Sequence, residues 1–246
     1  MKLEEIIVKY LDFLLKGDRI GCRNIVGEAL QTGIPVNVIY TDLFWPVMTE
    51  IERLYRDHQV DLLTEHMATR INRSLVDQLQ SKLPRSEPRE LKMIITCVDD
   101  QQEELGAQMC ADLFESDGWE VRFLGGGVPN DEIMTMIANW RPDMVFIYGM
   151  KPSGAPGVRK LMDTTRDIGA CPKVRFMLSG GVFNRAEGLW DEIGADLFAP
   201  TAKEALKVAL TDRRAPVDTM KQRRRANRKV EAAEVSTVGT GGAVGL

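Results

Sequence analysis

A helical bundle followed by an α/β domain built on a five-stranded parallel sheet is the architecture this sequence predicts. Three observations predict it. Residues 3–83 read as helices throughout, a polar segment with two prolines occupies 84–90, and short apolar runs alternate with amphipathic segments from Leu91 onward. Alternating strands and helices are the pattern of a parallel sheet covered on both faces.

The elements follow in order. Leu3, Ile6, Ile7, Tyr10, Leu11 and Leu14 recur at helical spacing, and Gly17 follows them as a stop. A second helix is expected from Asp18, its N-cap, to Thr32. A third segment follows Pro35 and carries Leu43, Phe44, Val47, Met48, Ile51, Leu54 and Tyr55, with Trp45-Pro46 near its start, where proline costs least. A fourth runs from about Asp61 to Leu83. Four helices with short connections suggest a compact bundle. Pro84-Arg85-Ser86-Glu87-Pro88-Arg89-Glu90 reads as a linker. Strands are expected at 91–98, 119–124, 143–149, 173–179 and 195–199, and helices near 103–117, 129–140, 155–168, 185–193 and 202–211. The domain boundaries so predicted are 1–83, 84–90, 91–212 and a tail at 213–246.

The chain has 246 residues, 44% of them hydrophobic and 28% charged, enough to bury real cores. Met1-Lys2-Leu3-Glu4-Glu5 carries acids where a secretory signal would carry bases, and no run approaches the ~20 apolar residues that span a bilayer. Cys22, Cys97, Cys110 and Cys171 lie far apart with no CxxC spacing, so reduced thiols in a cytoplasmic protein are expected. The net charge of −4 conceals an asymmetry: residues 213–246 carry eight bases against three acids. Such a tail is expected to be disordered in isolation and raises the question of anionic partners. Lys221-Gln222-Arg223-Arg224-Arg225-Ala226-Asn227-Arg228-Lys229 has no aromatics for stacking, and no helix-turn-helix pattern precedes it. Sequence-specific DNA binding is not expected; a solvated arm, or one that contacts a partner protein, is.

The chemistry-bearing residues gather at the carboxyl ends of the expected strands, where open parallel sheets bind ligands. They are the turn Asp99-Asp100-Gln101-Gln102-Glu103-Glu104-Leu105-Gly106, the run Gly125-Gly126-Gly127-Val128-Pro129, Tyr148-Gly149-Met150, and Ser179-Gly180-Gly181. Any one glycine is explained by a turn, but several on one sheet edge point to a shared crevice that brings backbone close to a ligand. Asp99-Asp100 reads as a solvated strand end and helix cap rather than a catalytic pair, and no triad pattern is present. The chain is not expected to be an enzyme by itself.

Residues 91–212 resemble the cobalamin (B12)-binding domain of methionine synthases, corrinoid proteins and MerR-type B12 photoreceptors, a flavodoxin-like (Rossmann-like) fold. In that family the first turn reads Asp/Glu-x-His-x-x-Gly. Here Gln101, Glu103 and Gly106 occupy it with only the glycine kept, so Glu103 stands where the family's lower cobalt ligand would be. The family's Ser-x-Leu/Thr motif, which lines the channel for the nucleotide tail, falls at Tyr148, Gly149 and Met150, and its Gly-Gly motif at Gly180 and Gly181, after Ser179. Ala111–Val121 and Ile193–Pro200 also resemble the family.

The first half resembles the four-helix cap that precedes such domains. In the photoreceptor branch this cap carries Trp, nine residues, then Glu-His; here Tyr55, Glu65 and His66 match, with tyrosine for tryptophan. The plainer alternative packs Tyr55 in the bundle and leaves His66 an ordinary helix residue.

The only histidines are His58 and His66, both in the first half. Three outcomes stay open: cobalamin with its own base or water on the lower face, cobalamin bound through His66 or His58 from above, or another tetrapyrrole or no ligand. The resemblance implies a corrinoid-binding sensory or regulatory protein, with a protein partner or homo-oligomer and no membrane. The alternatives are a corrinoid carrier of a methyltransferase system, a binder of another tetrapyrrole, and a ligand-free interaction scaffold.

Overall fold

The strands of this computed structural model lie parallel in the order β2-β1-β3-β4-β5. They are β1 (Lys92–Cys97), β2 (Glu120–Gly125), β3 (Met144–Tyr148), β4 (Arg175–Ser179) and β5 (Leu197–Phe198). The structure describes residues 2–98 and 104–211. The expectations for Asp99, Asp100, Gln101, Gln102 and Glu103, and those for the basic tail, lie outside the described residues. Contacts divide the chain after Ala209, and the helical bundle and the sheet both belong to the first unit. The sheet is the flavodoxin-like arrangement expected. Strand β3 is buried at every position, whereas half of the edge strand β2 is exposed.

The bundle contains α1 (Leu3–Leu15), α2 (Arg19–Gln31), α3 (Val36–Val38), α4 (Trp45–Arg56) and α5 (Leu62–Gln80). Asp18 and Asp61 cap α2 and α5: Asp18 accepts from the Ile20 and Gly21 amides, and Asp61 from the Thr64 amide. The third segment departs from expectation. Helical backbone begins at Val36, ahead of Pro46, and a π-helical stretch, Ile39–Phe44, joins α3 to α4. The Trp45 amide reaches back five residues to the Tyr40 carbonyl. Proline has no N–H for an ordinary α bond, and a π turn lets the rod pass through that defect.

The 84–90 segment has neither helix nor strand. The Ser86 and Arg89 amides bond the carbonyls of Ser116 and Gly118, and Arg89 pairs with Asp117 at 2.8 Å. The single helix expected near 185–193 is two short ones, α9 (Gly181–Arg185) and α10 (Leu189–Glu192). Ala186 is extended and Gly188 left-handed (φ +77°), a conformation that ends a helix and that glycine adopts without a Cβ penalty.

Helices α7 (Asn130–Trp140) and α8 (Ala155–Ile168) cover one face of the sheet. Helices α6 (Leu105–Ser116) and α11 (Ala202–Thr211) cover the other, where one continuous apolar core runs from Ile6, Tyr10, Phe44 and Val76 of the bundle to Met93, Phe114 and Phe146. Two tyrosines anchor the bundle's polar contacts within this core. Tyr10 Oη donates to Asn72 Oδ1 at 2.6 Å, and Tyr40 Oη lies 2.9 Å from the Val76 carbonyl and 3.1 Å from Asp112 Oδ2.

A phenol has one proton. Tyr40 can give it to the Val76 carbonyl or to the Asp112 carboxylate, and while it goes to Val76 a protonated Asp112 can donate to the phenol oxygen in turn. Burial pushes the Asp112 carboxyl up to about 7, opposed by its Tyr40 contact and reinforced by the charges of Glu115 and Asp77. The folded chain thus holds this proton more tightly than the unfolded chain, whose carboxyl titrates near about 4. The corresponding stability is fully present below about pH 4 and is lost as the pH rises toward 7. Asp112→Asn keeps a neutral group that can donate to Tyr40. The wild-type urea midpoint is expected to fall between pH 4.5 and 7.5 while that of the variant stays flatter. Parallel curves for the two proteins would refute a buried proton on Asp112.

Candidate functional site

The sheet order places a topological switch point between β1 and β3, the neighbours from which the chain winds outward in opposite directions. Ligand crevices of open α/β sheets lie outside the carboxyl ends of strands at that point. Here those ends carry Gly106 at the start of α6, Tyr148 closing β3, and Ser179 closing β4. Tyr148 and Ser179 are Cα partners in the parallel ladder, so their side chains leave the same face of the sheet.

The edge is tightly built. Gly180, at φ +104°, runs so close to Gly149 that a Cβ on it would come 2.3 Å from the Gly149 carbonyl oxygen. A Cβ on Gly149 would press on Val98, Phe183 and Val182. Met150 Sδ accepts from the Gly181 amide at 3.3 Å, and its carbonyl accepts from Arg185 Nη2 at 2.6 Å. Gly149, Met150, Ser179, Gly180 and Gly181 are thus brought together as the sequence predicts, but the glycines serve the approach of one loop to the next. Gly127 is the open exception, with none of the described residues near its Cβ position.

Tyr148 is 3% exposed. Its ring lies directly on Gly106, where a Cβ would meet the hydroxyl oxygen at 2.3 Å, so glycine is required there for packing. From above, Trp45 of the bundle meets the Tyr148 ring edge-on, at 6.3 Å and 83°. Such a pair contributes about 0.5–1.5 kcal/mol beyond the area it buries. The Ser179 hydroxyl is wholly buried and has no hydrogen-bond partner among the described residues.

Three further contacts bind bundle to edge. Glu52 pairs with Arg185, Lys203 with Asp42 at 3.2 Å, and Arg73 with Glu104 at 3.1 Å. The other oxygen of Glu104 accepts from the Gly126 amide at 3.1 Å. Sequence reasoning missed Trp45, Glu52, Arg73, Glu104 and Arg185, because their partners lie 22 to 133 residues away in the chain. Tyr55, Glu65 and His66 are not the residues that bridge to the edge. Tyr55 is 40% exposed and lies three residues after Glu52, on the same side of α4. Glu65 accepts from Thr69 at 2.9 Å, and His66 Nε2 lies 3.7 Å from Glu65 Oε2. Away from this edge, a cavity of about 390 Å³ opens against β2, lined by Asp77, Gln108, Asp112, Glu115 and Phe123 among others.

A helical bundle seated on the carboxyl edge of a parallel sheet, closing over its switch point, defines a capped α/β ligand-binding module. Comparison with known proteins gives the family. Two B12 binding domain profiles match in succession, one over residues 6–80 and one over 91–210, and the chain belongs to the B12-binding domain family. It is similar to the monomethylamine corrinoid protein 2 of Methanosarcina acetivorans, at 27% identity over 84% of this chain and 96% of that protein. It is similar also to the monomethylamine corrinoid protein 1 of Methanosarcina mazei, at 26% identity over 85% and 98%. The solved monomethylamine corrinoid protein of Methanosarcina barkeri shares the fold, with a TM-score of 0.75, 23% identity, and 85% and 99% of the two chains covered.

The ligand of this family is a corrinoid, and the edge fits it in part. The orphaned Ser179 hydroxyl and the open loop at Gly127 suit a ligand rich in amide and phosphate groups. The space between β1 and β3 does not: the Tyr148 ring fills it and Trp45 closes it. The Trp45–Tyr148 and Glu52–Arg185 contacts hold the bundle against the edge at this point. The fit of Tyr148 to Gly106 can be checked directly. Gly106→Ala is expected to destabilise the protein by about 1–3 kcal/mol through overpacking. In a Tyr148→Ser background the same change should be neutral or stabilising, since alanine outranks glycine in a helix by up to about 1 kcal/mol. An unchanged cost in that background, read from denaturant midpoints, would rule out the contact.

Proposed function

We propose that this protein is a corrinoid carrier that serves a partner methyltransferase, holding cobalamin between the helical bundle and the glycine-lined edge of the sheet. The observation that carries the reading is the end-to-end correspondence, both domains in the same order, with corrinoid proteins named for mono- and dimethylamine. The sensory or regulatory role expected from the sequence finds no support among these relatives, and the carrier alternative replaces it.

The corrinoid would supply the cobalt at which a group is transferred. The chain's own residues bind, orient and shelter it. In this reading Gly106, Tyr148, Gly149, Met150, Ser179, Gly180 and Gly181 form the lower surface. Tyr55, Glu65 and His66 form the upper one, with His66 as a nitrogen donor toward the metal. A carboxylate at Glu103 is a poorer partner for low-spin cobalt(III) than imidazole, which leaves the ligand's own base or water for the lower position. A protein partner and a cytoplasmic setting belong to the same reading. Among the described residues no helix is long and apolar enough to cross a membrane.

The test is retention. Purified protein mixed with hydroxocobalamin or methylcobalamin and freed of unbound ligand is expected to keep a corrinoid absorption spectrum, with a ligand-to-chain ratio approaching unity. His66→Ala is expected to alter that spectrum. Protein that emerges colourless from both mixtures would overturn the carrier reading.

A further inference from the structure

The Tyr148 ring occupies the place where a sheet of this topology ordinarily admits part of its ligand. Four observations bear on what it does there. It closes β3 at the switch point; it rests on a helix start that only glycine allows; it is lidded by Trp45; and the Ser179 hydroxyl beside it is buried with no described partner. A buried hydroxyl without a partner carries a cost of about 1–3 kcal/mol, which a ligand group or water reaching it would relieve. A tyrosine side chain is rigid, with two torsions, and its ring rests on Gly106 at the start of α6, a contact that stays in place when the bundle's Trp45 moves off. It therefore acts as a fixed stopper rather than as a side chain that folds away.

We propose that Tyr148 is the specificity-determining residue of the site: it plugs the crevice between β1 and β3, so that the protein takes a corrinoid flat on the edge with nothing inserted below. This rests on the corrinoid reading above and adds the form of the ligand. A corrinoid whose nucleotide base stays on its own cobalt meets the condition, and so does cobinamide, which lacks the nucleotide. A corrinoid that must swing its nucleotide arm down into the sheet does not. The serine of the next strand lies beside the plug, ready for a polar arm once the ring is gone.

The experiment titrates the full chain with aquacobalamin and with diaquacobinamide, following absorption, for the wild type, Tyr148→Phe and Tyr148→Ser. In the wild type the two dissociation constants are expected to lie within about threefold of one another, and bound cobalamin to keep the spectrum of the base-coordinated form. Tyr148→Phe, which keeps the ring, should behave as the wild type. Tyr148→Ser should tighten cobalamin by about tenfold or more, move its spectrum to the form with the base released, and leave cobinamide within about threefold. Bound cobalamin with its base released in the wild type would overturn the plug, and this needs no variant to fold. Equal gains for both ligands in Tyr148→Ser would overturn it as well, as would Tyr148→Phe behaving like Tyr148→Ser. If neither ligand binds any of the three proteins, the corrinoid reading itself falls.

Discussion

Helix α6 has almost no free face. Leu105, Ala107, Met109, Cys110, Ala111, Leu113 and Phe114 are all buried, because the sheet packs on one side of the helix and the bundle on the other. A helix apolar nearly all round belongs in an interior, and each large side chain so covered contributes about 1.5–3 kcal/mol. This double coverage welds the first 83 residues to the sheet through a single core. It also imprisons polar groups that happen to lie on the helix. The Asp112 carboxyl is held toward its neutral form, and burial raises the Cys110 thiol, which makes it a packing residue rather than a nucleophile.

What happens at the edge follows from that confinement. A helix gripped on both sides has a fixed first turn, so Gly106 cannot retreat from Tyr148 and Glu104 cannot wander from Arg73. The bundle meets the edge with an aromatic ring above the switch point and ion pairs around it. The more exposed of these, such as Lys203–Asp42, contribute at most about 1 kcal/mol and are weakened by salt, whereas Arg73–Glu104 is largely buried. The apolar core therefore sets where the bundle sits, and the exposed Lys203–Asp42 pair is the part of the interface that can open at small cost.

The sequence discloses some of this because some of it is local. The strands are runs of apolar side chains such as Met93–Val98, and they had to be apolar because β1, β3 and β4 are covered on both faces. Asp18 and Asp61 bond amides two or three residues away, so spacing alone finds them. The glycine doublets are legible too, although what they approach is other loops. Hidden from such reading is everything settled between distant segments. Trp45 reads as one more apolar residue near a proline, and its meeting with Tyr148 exists only after both domains are folded. The break between α9 and α10 turns on the backbone of Ala186 and Gly188, which apolar periodicity does not register. The tyrosine at 148 could be named as a departure from the family's motif, but not seen to fill a space.

One carboxylate has a mechanical meaning. Glu104 spends one oxygen on a guanidinium of the bundle and the other on the Gly126 amide of the loop after β2. The two oxygens of a carboxylate belong to one planar group of fixed geometry. Bundle and loop are thus yoked like two rods pinned to the same small plate, and neither shifts its position without pulling on the other or breaking a pin.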